Sequence, residues 1–133
     1  MDLRELELRK LRYFEKFDRR WDWFGRLSVP HGLSRRHAIR RLETWLDDLM
    51  REEGGRGFRW VRLFKHGVAG EADYFQVLVG GLRSRTRTWE RSWAKRNLSA
   101  RLRHFNGRHE AEIRTIVDSM DSDGHLDIDY DLR

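Results

Sequence analysis

The sequence has no cysteine, only one proline and no long apolar run. Without cysteine the chain forms neither disulfides nor thiolate metal sites, and the redox compartment stays unspecified. No apolar stretch approaches the roughly 20 residues that a membrane-spanning helix needs. The charged N-terminus does not resemble a signal peptide. These absences predict a soluble, cytoplasmic protein with no membrane partner.

Aromatic residues and arginine are plentiful instead. Six tryptophans and seven phenylalanines in 133 residues can fill one hydrophobic core, which favours a single domain. The net charge of +6 is unevenly spread, because residues 118–133 carry −5 and residues 1–117 carry +11. A basic body with an acidic tail indicates a polyanionic partner, although well-solvated arginine-rich surfaces also occur without one.

Hydrophobic periodicity predicts a mixture of helices and strands. The clearest elements are an amphipathic helix from Ser34 to Glu53 and a nearly apolar, central strand from Tyr74 to Leu82. The remaining predictions are helices over 3–20, 88–97 and 109–120, and strands over 21–29, 58–65, 101–105 and 126–132.

The order of these elements predicts an α/β fold of the α+β kind. Strand, helix, two strands, helix and strand form a ferredoxin-like split βαβ unit with an antiparallel sheet. We expect its helices on one face and the other face open or partly open. Many proteins of this shape bind nucleic acid on the open face.

The strand Tyr74–Leu82 and its glycine pair resemble the metal-binding strand of the rolling-circle replication initiators of the HUH endonuclease family. The resemblance implies an HUH-like (Rep-like) domain over residues 21–132 after an N-terminal helix over residues 1–20. It also implies an origin in a phage, a plasmid or another mobile genetic element. Further similarities to the family follow in the same order along the chain: Trp21–Val29, Ala38–Leu49, Trp89 with Trp93, and Asp129–Leu132.

Members of that family nick single-stranded DNA, using a metal held by two histidines and a tyrosine in a Tyr-x-x-Lys pattern. Here Tyr74 and Gln76 stand where the histidine pair is expected, and a neutral phenol and an amide are weak ligands. The family often uses an acidic residue as a third metal ligand. The corresponding position in this sequence lies near Lys65, whose positive charge repels a cation. The late helix has neither tyrosine nor lysine. The resemblance therefore implies a degenerate active site with no catalytic residue, no metal and no cofactor.

Other metal sites have little support in the sequence. The six histidines show no H-x-H or H-x-x-x-H spacing and are expected to be surface or capping groups. Residues 119–130 partly fit a calcium loop in which Asp121, Asp123 and Asp127 would be ligands. A serine and a tyrosine stand at its first and twelfth positions, so the favoured interpretation is a helix end, an Asp-Gly turn and a strand.

The segment from Arg83 to Arg108 carries nine Lys or Arg residues and one acid, Glu90. Arginine forks bind phosphate in a bidentate manner. Trp89 and Trp93 are one turn apart and are predicted to be core residues. The predicted nucleic-acid contacts are Arg83, Arg85, Arg87, Arg91, Lys95, Arg96, Arg101 and Arg103.

These features predict a non-catalytic nucleic-acid-binding protein whose partner is single-stranded DNA or a nucleoprotein complex. Tyr74 and Gln76 would then hydrogen-bond to the bound strand or stack on it. The alternative is a protein-binding inhibitor or regulator, such as an anti-defence factor, in which Asp127, Asp129 and Asp131 mimic phosphates. The same aspartates could equally fold over the chain's own basic patch. An active single-stranded DNA nickase is the least favoured possibility.

Overall fold

The structure is a computed structural model that describes residues 2–53, 57–82, 86–104, 110–119 and 127–132. The predicted helices and strands are present in these residues, and their ends shift by three residues or fewer. None of the helices in the described ranges has the length and apolar composition that crossing a bilayer requires. The elements are α1 (Leu3–Phe17), β1 (Trp23–Ser28), α2 (Arg35–Glu53), β2 (Arg59–Lys65), β3 (Tyr74–Gly80), α3 (Thr86–Ala94), β4 (Ala100–His104), α4 (Glu110–Asp118) and β5 (Ile128–Asp131).

The strands form one antiparallel sheet in the order β4-β1-β3-β2-β5. β3 occupies the centre, as predicted, because its side chains of both parities are largely apolar and can be covered on both faces. β5 pairs with β2 and lies at the edge, as its alternating sequence predicted. The order β4-β1-β3-β2 is that of a split βαβ unit, so the predicted fold class is confirmed.

α2 and α3 lie on one face of the sheet, above the larger apolar cluster. Strand residues of one parity, such as Trp23 and Val77, enter this cluster from below. Trp89 and Trp93 of α3 are 3% and 0% exposed, which confirms that they belong to the core. The ring of Trp45 on α2 meets both of them edge-on, so the three tryptophans join the two helices.

α1 and α4 lie on the opposite face and pack against each other. Phe17 of α1 and Ile113 of α4 are fully buried with Val61 and Leu78, which belong to β2 and β3. Tyr130 of β5 contacts Phe17 edge-on and extends this cluster to the sheet edge. The cluster covers the β3-β2-β5 side and leaves much of the β4-β1 side exposed, so this face is partly open.

The glycine pair after β3 ends the strand in a fixed turn. Gly81 has a φ of 82°, a conformation that glycine adopts without steric cost. The Oδ2 atom of Asp22 accepts hydrogen bonds from the backbone N–H groups of Gly81 (2.8 Å) and Leu82 (3.0 Å). The guanidinium of Arg59 packs beside Gly80, where a Cβ atom would collide with it. Burial lowers the pKa of Arg59, an effect that the Asp22 carboxylate opposes.

Candidate nucleic-acid interface

The side of the sheet that α1 and α4 leave uncovered carries cationic, polar and aromatic side chains on adjacent strands. Arg101, Arg26 and Gln76 are direct partners on β4, β1 and β3, so their side chains form one row. Adjacent strands are roughly 4.8 Å apart, and the row therefore spans about 10 Å. We call the surface made by five side chains the open sheet face: Arg26, Tyr74, Gln76, Arg101 and Arg103.

The positive charge of the open sheet face is only weakly compensated. Arg101 and Arg103 are exposed, and no acidic side chain among the described residues pairs with either. Arg26 lies 3.8 Å from Glu71, but both side chains are about half exposed and such pairs contribute little. Glu90 accepts a hydrogen bond from a β4 backbone N–H at 2.8 Å, which holds it at the strand edge. Like charges on neighbouring strands repel, and a bound anion would relieve that repulsion.

Arg26 and Tyr74 form a stacked pair in the middle of this surface. The guanidinium carbon of Arg26 lies 3.6 Å from the centre of the Tyr74 ring. This contact holds the guanidinium over the ring, and a planar guanidinium can stack on a base or bind a phosphate. Beside the pair, the side-chain oxygen of Gln76 is buried and finds no hydrogen-bond partner among the described residues. This oxygen has no exposed surface, so it costs free energy in the fold without presenting an acceptor to a ligand.

The positions of Tyr74 and Gln76 do not fit a divalent metal. The Gln76 oxygen is the one feature that favours a cation there. Against it, Lys65 is the direct partner of Tyr74 on β2, and Arg26 covers the tyrosine ring from β1. Two positive charges next to the site would repel a third. Within the described ranges, no cluster of three or more His, Asp or Glu side chains is placed to hold a metal ion.

The predicted basic contacts separate onto two surfaces. Arg101 and Arg103 belong to the open sheet face. Two further predicted contacts, Arg83 and Arg85, lie outside the described residues. The others are exposed on or just after α3, on the helical side of the sheet: Arg87, Arg91, Lys95 and Arg96.

Sequence reasoning did not select Arg26, which lies at the centre of the open sheet face. Its signal was present, because its position alternates with those of the apolar Trp23 and Leu27, so it points to the other face of the sheet. Sequence reasoning also did not predict that Arg40 and Arg41 of α2 lie near Lys95 and Arg96, although all four line one groove. That proximity depends on helix packing, to which local patterns do not extend.

The acidic tail is partly engaged with the chain's own arginines. The Asp127 carboxylate lies 2.7 Å from Arg62 and 2.8 Å from Arg35, and Asp129 lies 4.0 Å from Arg62. Asp127 is thus directed inward and is a poor phosphate mimic. Its calcium-loop companions, Asp121 and Asp123, lie outside the described residues.

Comparison with protein-family models, with curated proteins and with solved structures gave no match.

Proposed function

We propose that the protein binds single-stranded nucleic acid, such as single-stranded DNA, on the open sheet face and does not cut it. The observation that carries this proposal is the row of Arg101, Arg26 and Gln76 beside the stacked ring of Tyr74. The row and the ring offer phosphate-binding guanidinium groups and a cation–π pair within about 10 Å. These are the groups that a sugar-phosphate strand with exposed bases requires.

A single strand suits this surface better than a duplex does. Aromatic side chains on an open antiparallel sheet stack on unpaired bases, whose faces are covered in a duplex. Tyr74 supplies a ring on β3, and Arg26 supplies a planar cation beside it. Arg101 and Arg103 on β4 can contact the phosphate groups of the same strand.

The absence of cutting is proposed from the chemistry at the same place. Cleavage of a phosphodiester by this family requires a metal and an aligned tyrosine. Arg26 and Lys65 occupy the surroundings of the former metal position, and α4 contains neither tyrosine nor lysine. We propose that the chain descends from a rolling-circle replication initiator of the HUH family, from a phage, plasmid or other mobile element. The order of elements and the sequence of β3 support this origin.

Fluorescence anisotropy with a labelled single-stranded oligonucleotide tests the binding proposal. Affinity should fall steeply with added salt, because phosphate contacts release counterions. It should not change when EDTA replaces manganese, and a denaturing gel should show no covalent adduct. An affinity that does not change with salt would contradict the proposed phosphate contacts. A covalent adduct formed in the presence of manganese would show that the protein is a nickase.

Affinity capture from the native host distinguishes nucleic acid from a protein partner. The proposal predicts that recovery of partners is lost when the sample is treated with nuclease. Recovery that resists nuclease would favour the protein-binding regulator instead.

A further inference from the structure

α2 and α3 pack in antiparallel directions, which brings their basic ends together. Glu53 at the end of α2 accepts a hydrogen bond from the Trp89 indole near the start of α3, at 2.6 Å. At the other end, Nη1 of Arg41 lies 2.5 Å from the carbonyl oxygen of Arg96 and 3.1 Å from Oδ1 of Asn97. The arginines of α2 lie mainly in its first two turns, and its acids follow from Glu43 onward. The packing therefore concentrates positive charge at one end of the helical layer.

This end contains a groove of about 650 Å³ between the two helices. Trp45 forms an apolar part of its wall, and the neutral polar groups of Thr44, Ser92 and Asn97 lie around it. Asp48 is the one acid in the lining, and Arg51 already pairs with it. The cations that line the groove are Arg40, Arg41, Lys95 and Arg96.

No ion pair within the described part of the chain neutralises any of these four cations. Arg41 is fixed by the carbonyl groups at the end of α3, where the helix dipole is negative. Arg40, Lys95 and Arg96 are exposed and repel one another across the groove. A cluster of this kind is stabilised when a polyanion enters it.

We infer that this groove binds the phosphodiester backbone of a second strand, so that one chain holds two nucleic-acid segments on opposite faces. The inference rests on the proposed function of the open sheet face and extends it. The helical layer separates the two surfaces by roughly the diameter of a helix, about 10 Å, beyond the sheet itself. A short oligonucleotide on the sheet therefore leaves the groove free. Three phosphate contacts, from Arg40, Lys95 and Arg96, would give a salt slope of about −2.1 for a single strand.

Stoichiometry measured by sedimentation tests the inference, with a short labelled oligonucleotide as the probe. The native chain should bind two equivalents per chain. The variant with Arg40→Glu and Lys95→Glu should bind one equivalent, on the open sheet face, with the affinity of the native chain. It should keep the fold, because Arg41 and its hydrogen bonds at the end of α3 are left in place. Arg40→Gln with Lys95→Gln is the milder version should the first variant lose its circular dichroism spectrum. Arg101→Glu with Arg103→Glu should also bind one equivalent, in the groove.

Several outcomes overturn the inference. The native chain could bind one equivalent that only the variant with Arg101→Glu and Arg103→Glu loses. In that case the groove inference fails and the proposed function stands. Two equivalents bound by the groove variants would also overturn it. If the native chain binds no oligonucleotide, both fail. Displacement of the second equivalent by a polyglutamate peptide at lower concentration than by unlabelled oligonucleotide would assign the groove to an acidic protein segment instead.

Discussion

Removal of the two β4 arginines should weaken single-stranded DNA binding by an amount that follows from the geometry. Arg101 and Arg103 are exposed, and their side chains make no hydrogen bond or ion pair within the described residues, so alanine should leave the fold intact. With Arg26 they supply three cations on the open sheet face. Each neutralised phosphate contributes about −0.7 to the slope of log K against log salt for a single strand. In a chain whose groove site is removed by Arg40→Gln with Lys95→Gln, the slope should therefore change from about −2.1 to about −0.7, which is about 25-fold in affinity near 0.1 M salt.

Fluorescence anisotropy over a range of salt concentrations measures both quantities. The matched control is Arg9→Ala with Arg12→Ala, which removes the same charge from α1. These two side chains lie beside Tyr130 at the β5 edge, four strands and roughly 19 Å from β4. The control should keep the native slope. An unchanged slope in the β4 variant, or an equal change in the control, would refute the assignment of phosphate contacts to the open sheet face.

Three further predictions concern the parts of the fold that support this surface. Asp127→Ala should lower the free energy of unfolding by about 1–3 kcal/mol in urea denaturation, because it leaves the buried Arg62 with only the more distant and more exposed Asp129; a loss below about 1 kcal/mol would show that the pair carries little. Gly25→Ala should cost about 1–3 kcal/mol and lower the Tm, because its Cβ would lie 2.6 Å from Cδ2 of Leu102 and collide with the backbone of Arg101; an unchanged Tm would contradict the close approach of β1 and β4. Arg26→Lys should keep the salt slope but weaken binding by about 1 kcal/mol, because an ammonium keeps the charge and loses the planar stacking surface. A changed salt slope with unchanged affinity would exclude stacking.

Much of the fold was predictable because its signals are local. β3 is apolar on both parities, which places it in the middle of the sheet, and β5 alternates, which places it at an edge. Trp89 and Trp93 repeat at one helical turn, which places both on the buried side of α3. Each of these inferences needs only a few consecutive residues, and the structure confirms them.

The surfaces depend on contacts between distant residues and were less predictable. Arg41 and Arg96 meet only because α2 and α3 pack in antiparallel directions. Asp127 and Arg62 are separated by 65 positions, and counting charges along the chain cannot show that they neutralise each other. The stacking of Arg26 on Tyr74 needs the register of β1 against β3, which no local pattern specifies.

Mapping the bound strand onto the protein tests the central claim most directly. Isotope-labelled protein is titrated with a short single-stranded oligonucleotide in EDTA while the backbone amide resonances are followed by NMR. We predict large shifts on β1, β3 and β4, around Arg26, Gln76 and Arg101, whether or not the groove between α2 and α3 also shifts. Resonances of these three strands that do not move would contradict the claim, even if α2 and α3 shift.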